Sequence, residues 1–121
     1  MADRRSRRAK HIEDLVPTDP GTLGRTILDY LDDLEIRNYS HHSIRSRRTH
    51  LRYFVVWCDQ RGLLWPGEIT PSVLERYQRW LYHYRMSNGK RLSFRSQNDR
   101  LGSVKRFFRW VVKQRILEWS P

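Results

Sequence analysis

The chain has 121 residues, fifteen of them aromatic, with one cysteine, a net charge of +11 and a pI near 10.6. Lone Cys58 excludes an internal disulfide and a Cys-x-x-Cys metal or redox site, and reads as a small buried hydrophobe. No run approaches the roughly 20 apolar residues of a membrane span, and Met1-Ala2-Asp3-Arg4-Arg5 lacks the apolar stretch of a signal peptide, so a soluble, cytoplasmic protein of one domain is expected.

Charge is unevenly distributed. Residues 1–10 carry +4, residues 11–36 carry −6, and residues 37–121, with eighteen basic and five acidic side chains, carry +13. An excess of that size needs a polyanion to neutralise it, and nucleic acid is the commonest one. An anionic membrane would want a single basic amphipathic helix, whereas here the charge is spread over several helices.

In chain order, residues 1–21 combine an Arg/Lys cluster with Pro17, Pro20 and Gly21, show no helical period, and read as a flexible basic arm outside the fold. Thr22 is an N-cap for a first helix in which Leu23, Ile27, Leu28, Leu31 and Leu34 recur at three-to-four-residue spacing, with Asp29, Asp32, Asp33 and Glu35 on its outer side. Asn38-Tyr39-Ser40 punctuates the chain. Ser40 or Ser43 can cap a second helix, lined by Ile44, Leu51, Phe54, Val55 and Cys58 and ending at Gly62. Leu63 to Thr70 is a loop, and Thr70-Pro71 opens a third helix with Val73, Leu74, Tyr77, Trp80, Leu81 and Tyr84 as its apolar stripe. Ser87-Asn88-Gly89 is expected to end that helix at a C-cap glycine. Ser93 caps a fourth, from about Phe94 to Ile116, with Leu101, Val104, Phe107, Phe108, Val111 and Val112 inward. Gly102 inside it predicts a close approach by a neighbour or by DNA backbone. Four helices with short connections and no sustained strand alternation predict a small all-α bundle. Trp57, Trp80, Phe107, Phe108 and Trp110 belong to its core and not to base stacking.

Enzymatic chemistry finds no support. His42 and His50 can share a helix face, but no His-x-x-Glu-His or carboxylate cluster accompanies them, so no metal and no cofactor is expected. No Gly-rich phosphate loop or nucleophile elbow occurs. His42-Ser43-Ile44-Arg45 spells the His-x-x-Arg of recombinase active sites, but nothing catalytic flanks it and the match reads as coincidence.

The basic residues are concentrated at two helix starts. The second helix opens with His42, Ser43, Arg45, Ser46, Arg47 and Arg48, with Arg52 one turn on. The fourth is preceded by Lys90 and Arg91 and opened by Ser93, Arg95, Ser96, Gln97 and Asn98. A helix N-terminus offers unpaired N–H groups and a positive dipole end, so serine and arginine there make a phosphate site. Asn98 and Gln97 could read adenine edges, and the arginines guanine edges, if the helix enters a major groove.

With these features in order, the sequence resembles the N-terminal core-binding domain of phage integrases and Xer-type tyrosine recombinases over about residues 22–121. The resemblance is carried by Tyr30-Leu31, then Ser43, Leu51, Phe54, Trp57 and Arg61-Gly62, then Ile69-Thr70, Leu74, Tyr77 and Leu81, then Gly89, Ser93, Ser96, Leu101 and the run from Val104 to Trp110. It implies an all-α, four-helix, SAM-like orthogonal bundle over 22–118, forming one half of a clamp on double-stranded DNA. Trp119-Ser120-Pro121 would begin the linker to an absent catalytic domain. That domain would supply the tyrosine nucleophile, so the fragment itself would not be an enzyme, and its partners would be DNA and other protomers of a synaptic tetramer, with no membrane and no small molecule. The family's DNA contacts would fall on His42, Ser43 and Ser46 and on residues around Arg95 to Asn98. Where the family's second helix usually begins Thr-x-x-x-Tyr, this chain has Ser43 and Arg47. The competing reading is a stand-alone basic adaptor that binds protein through Asp29, Asp32, Asp33 and Glu35.

Overall fold

The computed structural model describes residues 11–117 and 119–121. Its helices are α1 (Ile12–Leu15), α2 (Leu23–Ile36), α3 (His41–Asp59), α4 (Pro71–His83) and α5 (Phe94–Lys113), with a 3-10 turn at Pro66–Glu68. Strand pairing among the described residues is limited to one isolated bridge, Arg85 opposite Arg91. The chain divides into two compact units, one through Pro66 and one from Gly67.

In the first unit, α2 starts where Thr22 caps it. The Thr22 hydroxyl oxygen accepts the Arg25 N–H at 3.2 Å and donates its own proton to the Asp19 carbonyl at 2.7 Å. Leu23, Ile27, Tyr30, Leu31 and Leu34 are buried, while Asp29, Asp32 and Glu35 face solvent. Asp33 pairs with Arg37, one turn on, at 2.8 Å. Asn38 takes the left-handed conformation, φ +65°, that lets the chain leave α2 and enter α3. There Ile44, Leu51, Phe54, Val55, Trp57 and Cys58 are buried, and α3 lies against α2. Replacing Phe54, which has no solvent exposure, by alanine would cost about 3–5 kcal/mol. Burial pushes the Cys58 thiol up from 9.0 to about 12.

The described part of the expected arm, residues 11–21, is folded. Ile12 and Val16 are buried, and α1 packs on both α2 and α3. Gly24 makes this possible, because a Cβ there would run into the Pro17 carbonyl oxygen, and the Arg25 Nε donates to the Thr18 carbonyl at 3.0 Å. A helix as short as α1 is too brief to show a period, and the prolines that read as disorder instead shape a tight turn onto α2. Residues 1–10 of the expected arm lie outside the described residues.

In the second unit Thr70 caps α4, accepting the Val73 N–H at 3.2 Å, with Pro71 as the first helical residue. Val73, Leu74, Tyr77 and Leu81 are buried, and Trp80, expected in the core, is half-exposed. α4 ends at His83 and not at Gly89, because Tyr84 turns extended. Residues 84–92 then form a small hairpin. Gly89, φ +80°, donates its N–H to the Met86 carbonyl at 2.8 Å, and Met86 donates to the Lys90 carbonyl at 2.8 Å. The left-handed glycine read as a helix cap therefore closes a three-residue hairpin loop. In α5, Leu101, Val104, Phe107, Phe108 and Val111 are buried, Trp110 is half-exposed, and the helix packs on α4. It stops at Lys113, short of Ile116, because Arg115 goes left-handed at φ +59°. Among the described residues no neighbouring element crowds Gly102: a Cβ there would meet the Arg106 side chain of its own helix at 3.4 Å.

Candidate nucleic-acid interface

The two helix starts singled out in the sequence are built alike. At α3 the Ser40 hydroxyl oxygen accepts the Ser43 N–H at 3.1 Å and donates to the Ser43 hydroxyl at 3.0 Å. At α5 the Ser93 hydroxyl oxygen accepts the Ser96 N–H at 3.1 Å and donates to the Ser96 hydroxyl at 3.1 Å. Each serine pair has two hydroxyl protons and uses one between its members, so one is left for an outside acceptor. Together with the first-turn N–H groups these starts have the makings of an anion site.

Around the α3 start, His42 and Arg45 are exposed, and Ser43, Ser46, Arg47 and Arg48 are half-buried. Arg47 is anchored within the unit: its Nη1 donates to the Tyr30 hydroxyl at 3.0 Å, and its guanidinium lies 5.1 Å over the Tyr39 ring. Arg52 lies 5.5 Å over the Tyr53 ring. His41, His42 and Arg45 are thus fully accessible at this helix start, and Ser43, Ser46 and Arg48 partly so.

Around the α5 start, Lys90, Arg91, Ser93, Arg95 and Asn98 are exposed, and Ser96 and Gln97 half-buried. Gln97 is fixed by its Nε2 donating to the Leu92 carbonyl at 3.0 Å, which leaves its amide oxygen and one N–H available. Arg91 lies 4.8 Å over the Tyr82 ring. Gln97 and Asn98 line an open groove of about 500 Å³ with Phe94, 72% exposed, and with Gln78, Arg79 and Tyr82 of α4. The α4 residues were not identified from sequence, because only the packing of α4 on α5 brings them there. The one advance signal was Phe94, an apolar residue at a first helical position off the core stripe.

Among the described residues no His, Cys, Asp and Glu side chains group closely enough to hold a metal ion, and no helix is long and apolar enough to cross a membrane.

The family model for the phage integrase N-terminal SAM-like domain matches residues 27–118. The chain belongs to that family. This phage-integrase SAM-like domain is also 37% identical over 99 residues, 82% of its length, to tyrosine recombinase XerC 2 of Ralstonia nicotianae. It spans 28% of the length of that relative. No solved structure matches it at a significant level. The expected family and the all-α, SAM-like fold are both found.

Proposed function

We propose that this SAM-like domain binds duplex DNA as the core-binding part of a tyrosine-type site-specific recombinase, forming half of a clamp on the recombination site. The observation that carries this reading is the matched pair of helix starts, each with a serine hydroxyl proton to spare, first-turn N–H groups and exposed basic neighbours, on a segment with a charge of +13. Arg45, Arg48, Arg52, Lys90, Arg91 and Arg95 neutralise phosphates, Ser43, Ser46, Ser93 and Ser96 set register on the backbone, and His42, Gln97 and Asn98 reach base edges. Arg47 supports the α3 start from behind. Breaking and rejoining of DNA belongs to the parent recombinase, working on cytoplasmic DNA with other protomers. The adaptor reading is not favoured, since one of its four acids, Asp33, is already paired with Arg37.

The test is duplex binding by the chain as salt is raised from about 50 to 200 mM, where log K falls linearly with log salt by roughly 0.9 per phosphate neutralised. Arg45→Ala combined with Arg95→Ala is expected to weaken binding at least tenfold and flatten that slope. Affinity indifferent to salt, or unchanged in the double variant, would refute the reading.

A further inference from the structure

The hairpin between α4 and α5 carries Arg85, Lys90 and Arg91 and no acid from 85 to 91. Arg85 and Arg91 are paired directly across it. The Met86 N–H to Lys90 carbonyl bond at 2.8 Å marks theirs as the non-hydrogen-bonded kind of antiparallel pair, the kind in which side chains stand closest. Like charges opposite one another on a hairpin destabilise it. Both arginines are exposed, and among the described residues no carboxylate pairs with Arg85, Lys90 or Arg91.

The rest of the hairpin is well secured. Its loop is closed by the Gly89 N–H to Met86 carbonyl bond, the Lys90 N–H donates to Asn88 Oδ1 at 3.0 Å, and Leu92 at its base is 7% exposed. A bonded hairpin that sets two arginines opposite one another, Arg91 with its guanidinium 4.8 Å over the Tyr82 ring, and gives neither a carboxylate is suited to an anion with several oxygens, which two arginines can grip from two sides.

We propose that Arg85 and Arg91 form a two-pronged holder for a single DNA backbone phosphate, one step before the α5 start. The inference rests on the DNA-binding reading, because Arg91 stands two residues ahead of the Ser93 cap and the phosphate would be continuous with those met by Ser93, Arg95 and Ser96. It makes Arg85, which no sequence pattern selects, a DNA-contacting residue, and it casts the hairpin as a wing beside the helix.

The arginine pair has opposite effects on the free and bound states, and this makes the test sharp. Arg85→Glu replaces repulsion by an ion pair with Arg91, so thermal unfolding of the DNA-free chain should rise by about 2 °C. The same variant should lower the salt slope of duplex binding by roughly 1 to 2, Arg85→Ala by about 1, and Arg85→Lys should restore most of it. If the Arg85→Glu and Arg85→Ala slopes match the parent chain while Arg45→Ala flattens it, the holder is wrong and the DNA-binding reading stands. If Arg85→Lys loses as much as Arg85→Ala, charge is not what matters and the holder is also wrong. A parent chain whose binding shows no salt slope brings down both.

Discussion

Superimposed on their caps, the starts of α3 and α5 run Ser40-His41-His42-Ser43-Ile44-Arg45 and Ser93-Phe94-Arg95-Ser96-Gln97-Asn98. The serine pairs coincide in kind and in distance, so the local backbone chemistry is the same. Between the serines the two already differ, His41-His42 against Phe94-Arg95, and past the second serine they differ in how the start is held. Ile44 is buried and seats the α3 start in the core, whereas Gln97 holds the α5 start by a bond to the Leu92 carbonyl and keeps part of its amide for other uses. At the next position α3 presents a long cation, Arg45, and α5 a short amide, Asn98, beside an open groove. A guanidinium reaches any phosphate, while an amide with both donor and acceptor distinguishes one base edge from another. On the DNA-binding reading the same cap can therefore lean toward different tasks: the position two past the second serine suits gripping at α3 and reading at α5.

The largest effect should come from exchanging those tasks. On the DNA-binding reading, Asn98→Ala should cost about 1–3 kcal/mol of discrimination at one base pair, leaving the salt slope alone, while Arg45→Ala should weaken all duplexes evenly and lower the slope by about 0.9. Binding to a randomised duplex library at two salt concentrations separates these outcomes, and equal behaviour of the two variants would erase the distinction. A smaller effect tests whether the caps are equivalent. Ser40→Ala and Ser93→Ala should each cost about 1 kcal/mol, and a twofold difference between them in denaturant titration would show that the local geometry is not what sets their worth. The smallest concerns Arg47. Tyr30→Phe removes the hydroxyl that accepts from it and, on the reading of Arg47 as a support, should cost about 0.5–1.5 kcal/mol of stability with no change in the salt slope. A flatter slope in Tyr30→Phe would move Arg47 to the DNA side.

Much of this was legible in the sequence. Thr22, Thr70 and Ser93 cap helices as read, because a capping hydroxyl and its N–H target sit at a fixed offset. Of the two candidates for α3, Ser40 caps and Ser43 is its target. Periodic stripes also placed Ile27, Phe54, Val104 and Phe107 in the core. The failures share a cause. Ile12 and Val16 gain their burial from α2 and α3, distant in sequence, so nothing local distinguished them from a loose arm. Gly89 was misassigned because a left-handed glycine serves a helix end and a hairpin loop equally well, and only the pairing of Arg85 with Arg91 decides between them. For the candidate site, serines and arginines at helix starts were visible, whereas the α4 side of the groove and the role of Arg47 depend on tertiary neighbours.

Burial pushes the Cys58 thiol up to about 12 and keeps it from solvent while α3 stays folded, although its chain neighbour Trp57 lies under an exposed arginine, Arg61. Any thiol reagent that marks this protein at neutral pH must wait for α3 to lift away from its surroundings. With no second cysteine to confuse the signal, the chain carries its own clock for that opening.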